Sequence, residues 1–287
     1  MREADGAAGG HQGAQRSLCP LLSRPSSHSA AADRRPPSAG RTLAQVIEKK
    51  KYCFTDQSLG REIEVLARVS HPNCIEMIEC YITSKRVYIV TEIFTGGELL
   101  HQVLTKGSLG EQVSAYILQQ ILEGISYLHD NGIVHRDLKL ENIMLMDAAD
   151  FPRVRIADFG LSKSFSGGDV LQTLCGSPQY VAPEILHVGA GNIQQYSPAV
   201  DIWSAGVICY MLLSGLSPFS EEQEPVLFQK IKAGDYNFKA EIWQHCSQEA
   251  KVFVTKLMNV DPSLRYSAKQ ALQDPWLVGT LRSLQVQ

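Results

Sequence analysis

Two apolar stubs, Ile133-Val134 and Ile143-Met144-Leu145, bracket eight positions that hold His135, Arg136, Asp137, Lys139, Glu141 and Asn142. A chain can interrupt buried sequence with that much polarity only if the groups satisfy one another or face a ligand, because unpaired buried charge is costly. The pattern predicts strand stub, loop, strand stub, with Asp137, Lys139 and Asn142 on one rim. About a dozen residues on, "VRIADFG" (154–160) repeats the device: an apolar strand delivers Asp158, and Gly160 frees the backbone just after it. Two carboxylates, an amide oxygen and an ammonium suit a Mg2+–polyphosphate complex, since Mg2+ takes hard oxygen ligands from a few side chains plus phosphates. For either segment alone, a polar loop capped by its own hydrogen bonds is the competing reading.

The rest of the chain reads as a small strand-rich region followed by a larger helical one. Residues 1–40 are rich in Gly, Ala, Ser, Pro and Arg without a period of 2 or 3.6, which predicts disorder. "LAQVI" reads as a short strand, "LGREIEVLARVS" (59–70) as a helix, and "CIEMIECYIT" and "RVYIVTEIF" as two strands. In 111–130, Val113, Ile117, Ile121, Ile125 and Leu128 form one helical stripe. "DIWSAGVICYMLL" (201–213) is too short for a bilayer and carries Asp201, so it reads as a buried helix. A formal charge of −3 gives no electrostatic case for nucleic acid, although residues 1–41 hold six Arg against Glu3, Asp5 and Asp33. Seven cysteines without a C-x-x-C pair argue against a zinc site or a disulfide framework. The expectation is an intracellular protein of the cytoplasm or nucleus, with no membrane partner.

H-R-D-x-x-x-x-N at 135–142, D-F-G at 158–160 and A-P-E at 182–184 follow in order. With these motifs the chain resembles the eukaryotic protein kinases, and "HRDLKLEN" is similar to the serine/threonine type because of Lys139. The resemblance runs from about Val46 to Leu277, roughly four-fifths of the chain. It implies an α+β, bilobal fold with an incomplete β-sheet lobe bearing one helix and a larger, mainly helical lobe. It further implies residues 1–45 as a disordered segment, 46–95 as a partial small lobe, 96–277 as the large lobe and 278–287 as a short tail. The implied activity is transfer of the ATP γ-phosphate to protein Ser/Thr hydroxyls, with Mg2+. Asp137 would be the catalytic base, Lys139 would reach the transferring phosphate, and Asn142 and Asp158 would hold Mg2+. Glu62 matches the helix glutamate that pairs with a strand lysine. Thr91 matches the residue guarding the back of the nucleotide pocket, with Glu92 to Phe94 as the hinge that bonds adenine. Glu184 matches a partner of Arg265, and Asp201 a brace for the catalytic loop, whereas His135 reads as a packed core histidine.

Thr173 sits where this family is often phosphorylated by an activating kinase, and Arg136 would bind that phosphate. Ser177 replaces the more usual threonine of G-T-P. "GGELL", "TLCGSPQYVAPE", "LLSGLSPF" and "DPWL" resemble the calcium/calmodulin-dependent group, and the stretches 185–207 and 233–251 its checkpoint effector kinases. Neither the upstream phosphopeptide-binding domain usual for those kinases nor a calmodulin-binding tail is expected here. Glu98 and Glu141 match positions that receive an arginine upstream of the target Ser/Thr; for Glu98 a ribose contact is the alternative. Two family features are missing: no G-x-G-x-x-G spacing is found, and counting back from Glu62 puts Gln45 at the strand-lysine position. A neutral amide cannot supply that ammonium, so a catalytically impaired scaffold, with 1–45 as an alternative start, is the second expectation.

Overall fold

The computed structural model describes residues 42–48 as backbone, 63, 66–83, 86–158, 178–187 and 197–285. Three antiparallel strands, β1 (Thr42–Glu48), β2 (Met77–Ile82) and β3 (Arg86–Glu92), form a sheet in the order β1-β3-β2. β-Branched and aromatic residues dominate β3, whose alternation buries Val87, Ile89 and Thr91. β1 lies at an edge of the sheet among the described residues. Its first four residues lie inside the segment expected to be disordered, because Thr42, Leu43, Ala44 and Gln45 already ladder onto Glu92, Thr91, Val90 and Ile89. Helical backbone at 63 and 66–68 agrees with the expected helix, and Ile63, Leu66 and Val69 are buried.

The larger region is mainly helical: α1 (Leu99–Lys106), α2 (Gly110–Asp130), α3 (Pro183–His187), α4 (Ala199–Ser214), α5 (Glu224–Ala233), α6 (Gln248–Leu257), α7 (Ala268–Leu272) and α8 (Pro275–Gln285). A second sheet, β4 (Gly97–Glu98), β5 (Ile143–Leu145) and β6 (Val154–Ile156), sits between the helices and the first sheet's connection. α4 is apolar all round and buried from Val200 to Ser214, the signature of a helix at the centre of a core. At Gly206 a Cβ would stand 2.5 Å from Met258 Cγ and 2.9 Å from Leu257 Cβ, so glycine lets α4 lie directly on α6. Among the described residues no helix is long and apolar enough to cross a membrane.

α2 buries Ile117, Ile121, Ile125 and Leu128 as its stripe predicts, with Val113 half-buried, but it also buries Ala115, Leu118 and Leu122. The second stripe exists because α2 packs on β6 as well as on α4, α7 and α8. Its first turn is tied down by Glu111, whose carboxylate accepts from Ser247 Oγ at 2.9 Å and Trp276 Nε1 at 2.8 Å. One local expectation fails: Ile133-Val134 is not a strand and is only half-buried. The Ile133 N–H closes the end of α2 on Leu128 O, and the N–H groups of His135 and Arg136 just after bond the Asp201 carboxylate, so the segment turns into the loop instead of laddering.

Candidate active site

The polar loop at 135–142 hangs from the core by Asp201, in the first turn of α4, where the helix dipole favours a negative charge. Asp201 Oδ2 accepts from the His135 N–H at 2.9 Å and from His129 Nε2 at 2.8 Å, and Oδ1 accepts from the Arg136 N–H at 2.9 Å. Those bonds hold Arg136 at φ 70°, a left-handed conformation unusual for a side-chain-bearing residue. His135 is buried; its Nε2–H donates to Ala157 O at 3.0 Å and its Nδ1 accepts from the Asp137 N–H at 3.3 Å. Burial holds its pKa below the ordinary histidine value, against the pull of Asp201, so the ring is a neutral strut, as expected.

Asp137 faces the rim. Its Oδ2 lies 3.2 Å from Lys139 Nζ and 3.3 Å from Asn142 Nδ2, and Asn142 Nδ2 also donates to Asp137 O at 2.7 Å. The nitrogen side of that amide is committed to Asp137, so its oxygen is the atom that could ligate a cation. Asp158 arrives from β6 through Ala157, whose N–H bonds Asn142 O at 2.8 Å while its carbonyl takes His135. Asp158 is the second left-handed residue, at φ 57°. Asp137, Asn142 and Asp158 are therefore gathered on adjoining backbone around one buried histidine, and the charges of both acids act on that ring. Among the described residues no group of three or more His, Cys, Asp or Glu could hold a metal. A cation here would need the amide oxygen and phosphate oxygens besides the two acids, a donor set that fits Mg2+.

The other expected residues fall around this centre. Thr91 is buried at the end of β3. Glu92 is half-buried, and its carboxylate turns to Arg155, with Oε1 2.7 Å from Nε. Phe94 is half-buried in the connection that follows, and Glu98 is exposed at the start of α1. Glu141 lies beside Tyr180, whose hydroxyl pKa is raised first by burial and then by the Glu141 charge. The Arg136 residue is exposed beside the loop. Gln45 stands opposite Ile89 in the β1–β3 ladder. Glu62, Thr173 and Ser177 lie outside the described residues. Glu184 and Arg265 form the expected pair, bidentate at 2.7 and 2.9 Å. Sequence reasoning missed His129 and Arg155. His129 could have been noticed six residues before His135, and Arg155 as the polar centre of an apolar triplet, "VRI".

A small sheet joined by one connection to a helical body, with catalytic-type acids on loops between short strands, is the architecture of a protein kinase. The chain belongs to that family: the family model described as "Protein kinase domain" matches residues 35–277. The match begins before Val46, where the sequence resemblance was expected to start. The chain is 43% identical over 233 residues to calcium/calmodulin-dependent protein kinase type 1 of Caenorhabditis briggsae, covering 81% of this chain and 64% of that one. It is 42% identical over 239 residues to the same-named kinase of Macrobrachium nipponense, covering 83% and 68%. Among solved structures, the crystal structure of Rad53 1–466 in complex with AMP-PNP aligns at TM-score 0.70 and 34% identity, covering 82% of this chain and 58% of that one. The expected family, group and fold class are thus borne out, and the chain spans just under two-thirds of the first relative's length.

Proposed function

We propose that this chain transfers the γ-phosphate of ATP to Ser/Thr hydroxyls of protein substrates. The observation that carries the reading is the Asp137 carboxylate held between Lys139 Nζ and Asn142 Nδ2, with Asp158 on the next bonded segment. In that reading Asp137 accepts the proton of the incoming hydroxyl or orients it, and Lys139, 3.2 Å away, steadies the phosphate being moved. Asn142 and Asp158 would hold Mg2+, which when bound neutralises phosphate charge. Thr91 and the backbone of Glu92 to Phe94 would receive the base of the nucleotide; the complex of the Rad53 relative with AMP-PNP supports nucleotide binding by a chain of this fold. Glu98 and Glu141 would favour peptides with an upstream arginine, and Arg136 would order a phosphate placed on Thr173 by another kinase. An intracellular setting belongs to the same proposal, supported by the free thiols of Cys74, Cys80, Cys209 and Cys246 among the described residues.

One sequence feature favours a second reading, a binding scaffold: Gln45 at the strand-lysine position. Phosphotransfer from labelled ATP to an Arg-containing peptide decides between them, using the chain, Asp137→Asn and Gln45→Lys. Transfer is expected in the chain, lost in Asp137→Asn, and raised about a hundredfold or more in Gln45→Lys, the usual effect of one preorganised electrostatic donor. No transfer by any of the three, with ADP still bound, turns the reading to the scaffold.

A further inference from the structure

We infer that the ion pair between Glu92 and Arg155 is a clasp that sets the position of the connection between the two sheets, making Arg155 a positioning residue for nucleotide binding. The connection runs from the end of β3 to β4. Its far end is sewn to β5: the Gly96 N–H bonds Leu145 O at 3.1 Å and Thr95 Oγ1 donates to Met146 O at 2.9 Å. Its near end carries Glu92, whose Oε1 meets Arg155 Nε at 2.7 Å.

Arg155 is itself fixed. It stands in the middle of β6, opposite Met144, and its Nη1 donates to Cys74 O at 2.9 Å. The same 73–75 loop is bonded to the flanking residues of β6, through Ile156 N–H to Asn73 O, Ile75 N–H to Ile156 O, both at 2.8 Å, and Asn73 Nδ2 to Val154 O at 3.2 Å. One guanidinium thus joins three segments distant in sequence: the end of β3, the loop before β2, and β6. The contact with Glu92 is a close ion pair and not an aligned hydrogen bond, since Nε has no hydrogen-bond partner among the described residues, so what holds the joint at that point is the charge, which a lysine ammonium also supplies.

The pair is poorly suited to be a device for stability alone. The Arg155 and Glu92 side chains are 18% and 26% exposed, so both pay for desolvation. Burial raises the Glu92 pKa, and the attraction of Arg155 does not cancel that effect. What the contact does supply is geometry. It ties the Glu92 side chain to β6, so that on the kinase reading the backbone of Glu92 to Phe94, and not this carboxylate, would meet the nucleotide.

The nucleotide part of this inference rests on the kinase reading; the mechanical part concerns the chain by itself, and the test separates them. Amide hydrogen exchange of the chain without nucleotide is measured in Glu92→Gln, Arg155→Gln and Arg155→Lys. The Gly96 amide is expected to exchange at least about fivefold faster in both Gln variants while α4 keeps its protection. Arg155→Lys, which keeps a cation beside Glu92, recovers most of the difference. By calorimetry ADP binds about three- to tenfold more weakly to the Gln variants and near the parent value to Arg155→Lys. Unchanged Gly96 exchange in both Gln variants overturns the clasp, as does equal loss of protection throughout α4. A parent chain that binds no ADP counts against the kinase reading, and the exchange result still decides the clasp.

Discussion

Two carboxylates in this molecule each hold a piece of backbone that chemistry needs, and they do it in opposite ways. Asp201 is 1% exposed, is carried by a helix buried along its length, and accepts from two backbone N–H groups and a histidine. Glu92 is half-buried at the end of a strand and meets one guanidinium. The loop below Asp201 is over-determined, and this is what lets it keep a left-handed Arg136. The connection leaves the β3 ladder at Glu92, is tied there by one side-chain ion pair, and among the described residues is next sewn down at its far end. A site that must align reacting atoms benefits from the first arrangement; a joint that must admit and release a nucleotide benefits from the second.

The largest expected effect tests the rigid side. Asp201→Ala leaves two buried N–H groups and the His129 donor without their acceptor, and should lower unfolding free energy by about 3–5 kcal/mol in urea titration. A loss below about 1 kcal/mol would mean that the catalytic loop is held by something else, and the contrast would fail. Gly96→Ala should come next and act on the joint. An added Cβ would stand 2.2 Å from Asp147 O and 2.6 Å from Leu145 Cβ, so the connection must move. The expected destabilisation is about 1–3 kcal/mol, with ADP affinity reduced and α4 exchange unchanged. If ADP affinity holds while stability falls, the joint does not govern nucleotide binding.

The smallest effect is a pH dependence of the rigid side. His135 is held below its ordinary value of 6.5 by burial, so the unfolded chain binds its proton first. The unfolded state then carries more protons than the native state, and stability must fall as pH drops below 6.5 toward the folded value. One such histidine can contribute at most about 1.4 kcal/mol per pH unit. His71, lowered by burial and then by Arg155, acts with the same sign. Thermal unfolding at pH 7.5 and 5.5 checks this; equal stability at both would mean that the native state takes up as many protons over that range as the unfolded chain, against a depressed His135.

What could be read from the sequence was whatever a short stretch encodes. Asp137, Lys139 and Asn142 lie within six positions, so their convergence needed only one loop, and the alternation of β3 announced its buried face. Ile133-Val134 misled because two apolar residues carry no information about where the backbone around them bonds: the Ile133 N–H goes to Leu128 O and the His135 N–H just after goes to Asp201. The second buried stripe of α2 was hidden for a related reason: a helix packed on several neighbours loses the single period that one neighbour would impose. Glu92 was placed correctly at the connection, yet the direction of its carboxylate depends on Arg155, 63 positions away. Distant pairs of that kind leave no local pattern to read.

Arg136 and Asp158 share a backbone basin that glycine enters freely, and each keeps a charged side chain there at about 1–2 kcal/mol. Selection for heat resistance alone would therefore drift toward glycine at both places, yielding hardier descendants with blunted chemistry. Durability and competence pull apart at these two residues, and any effort to toughen the molecule has to begin elsewhere.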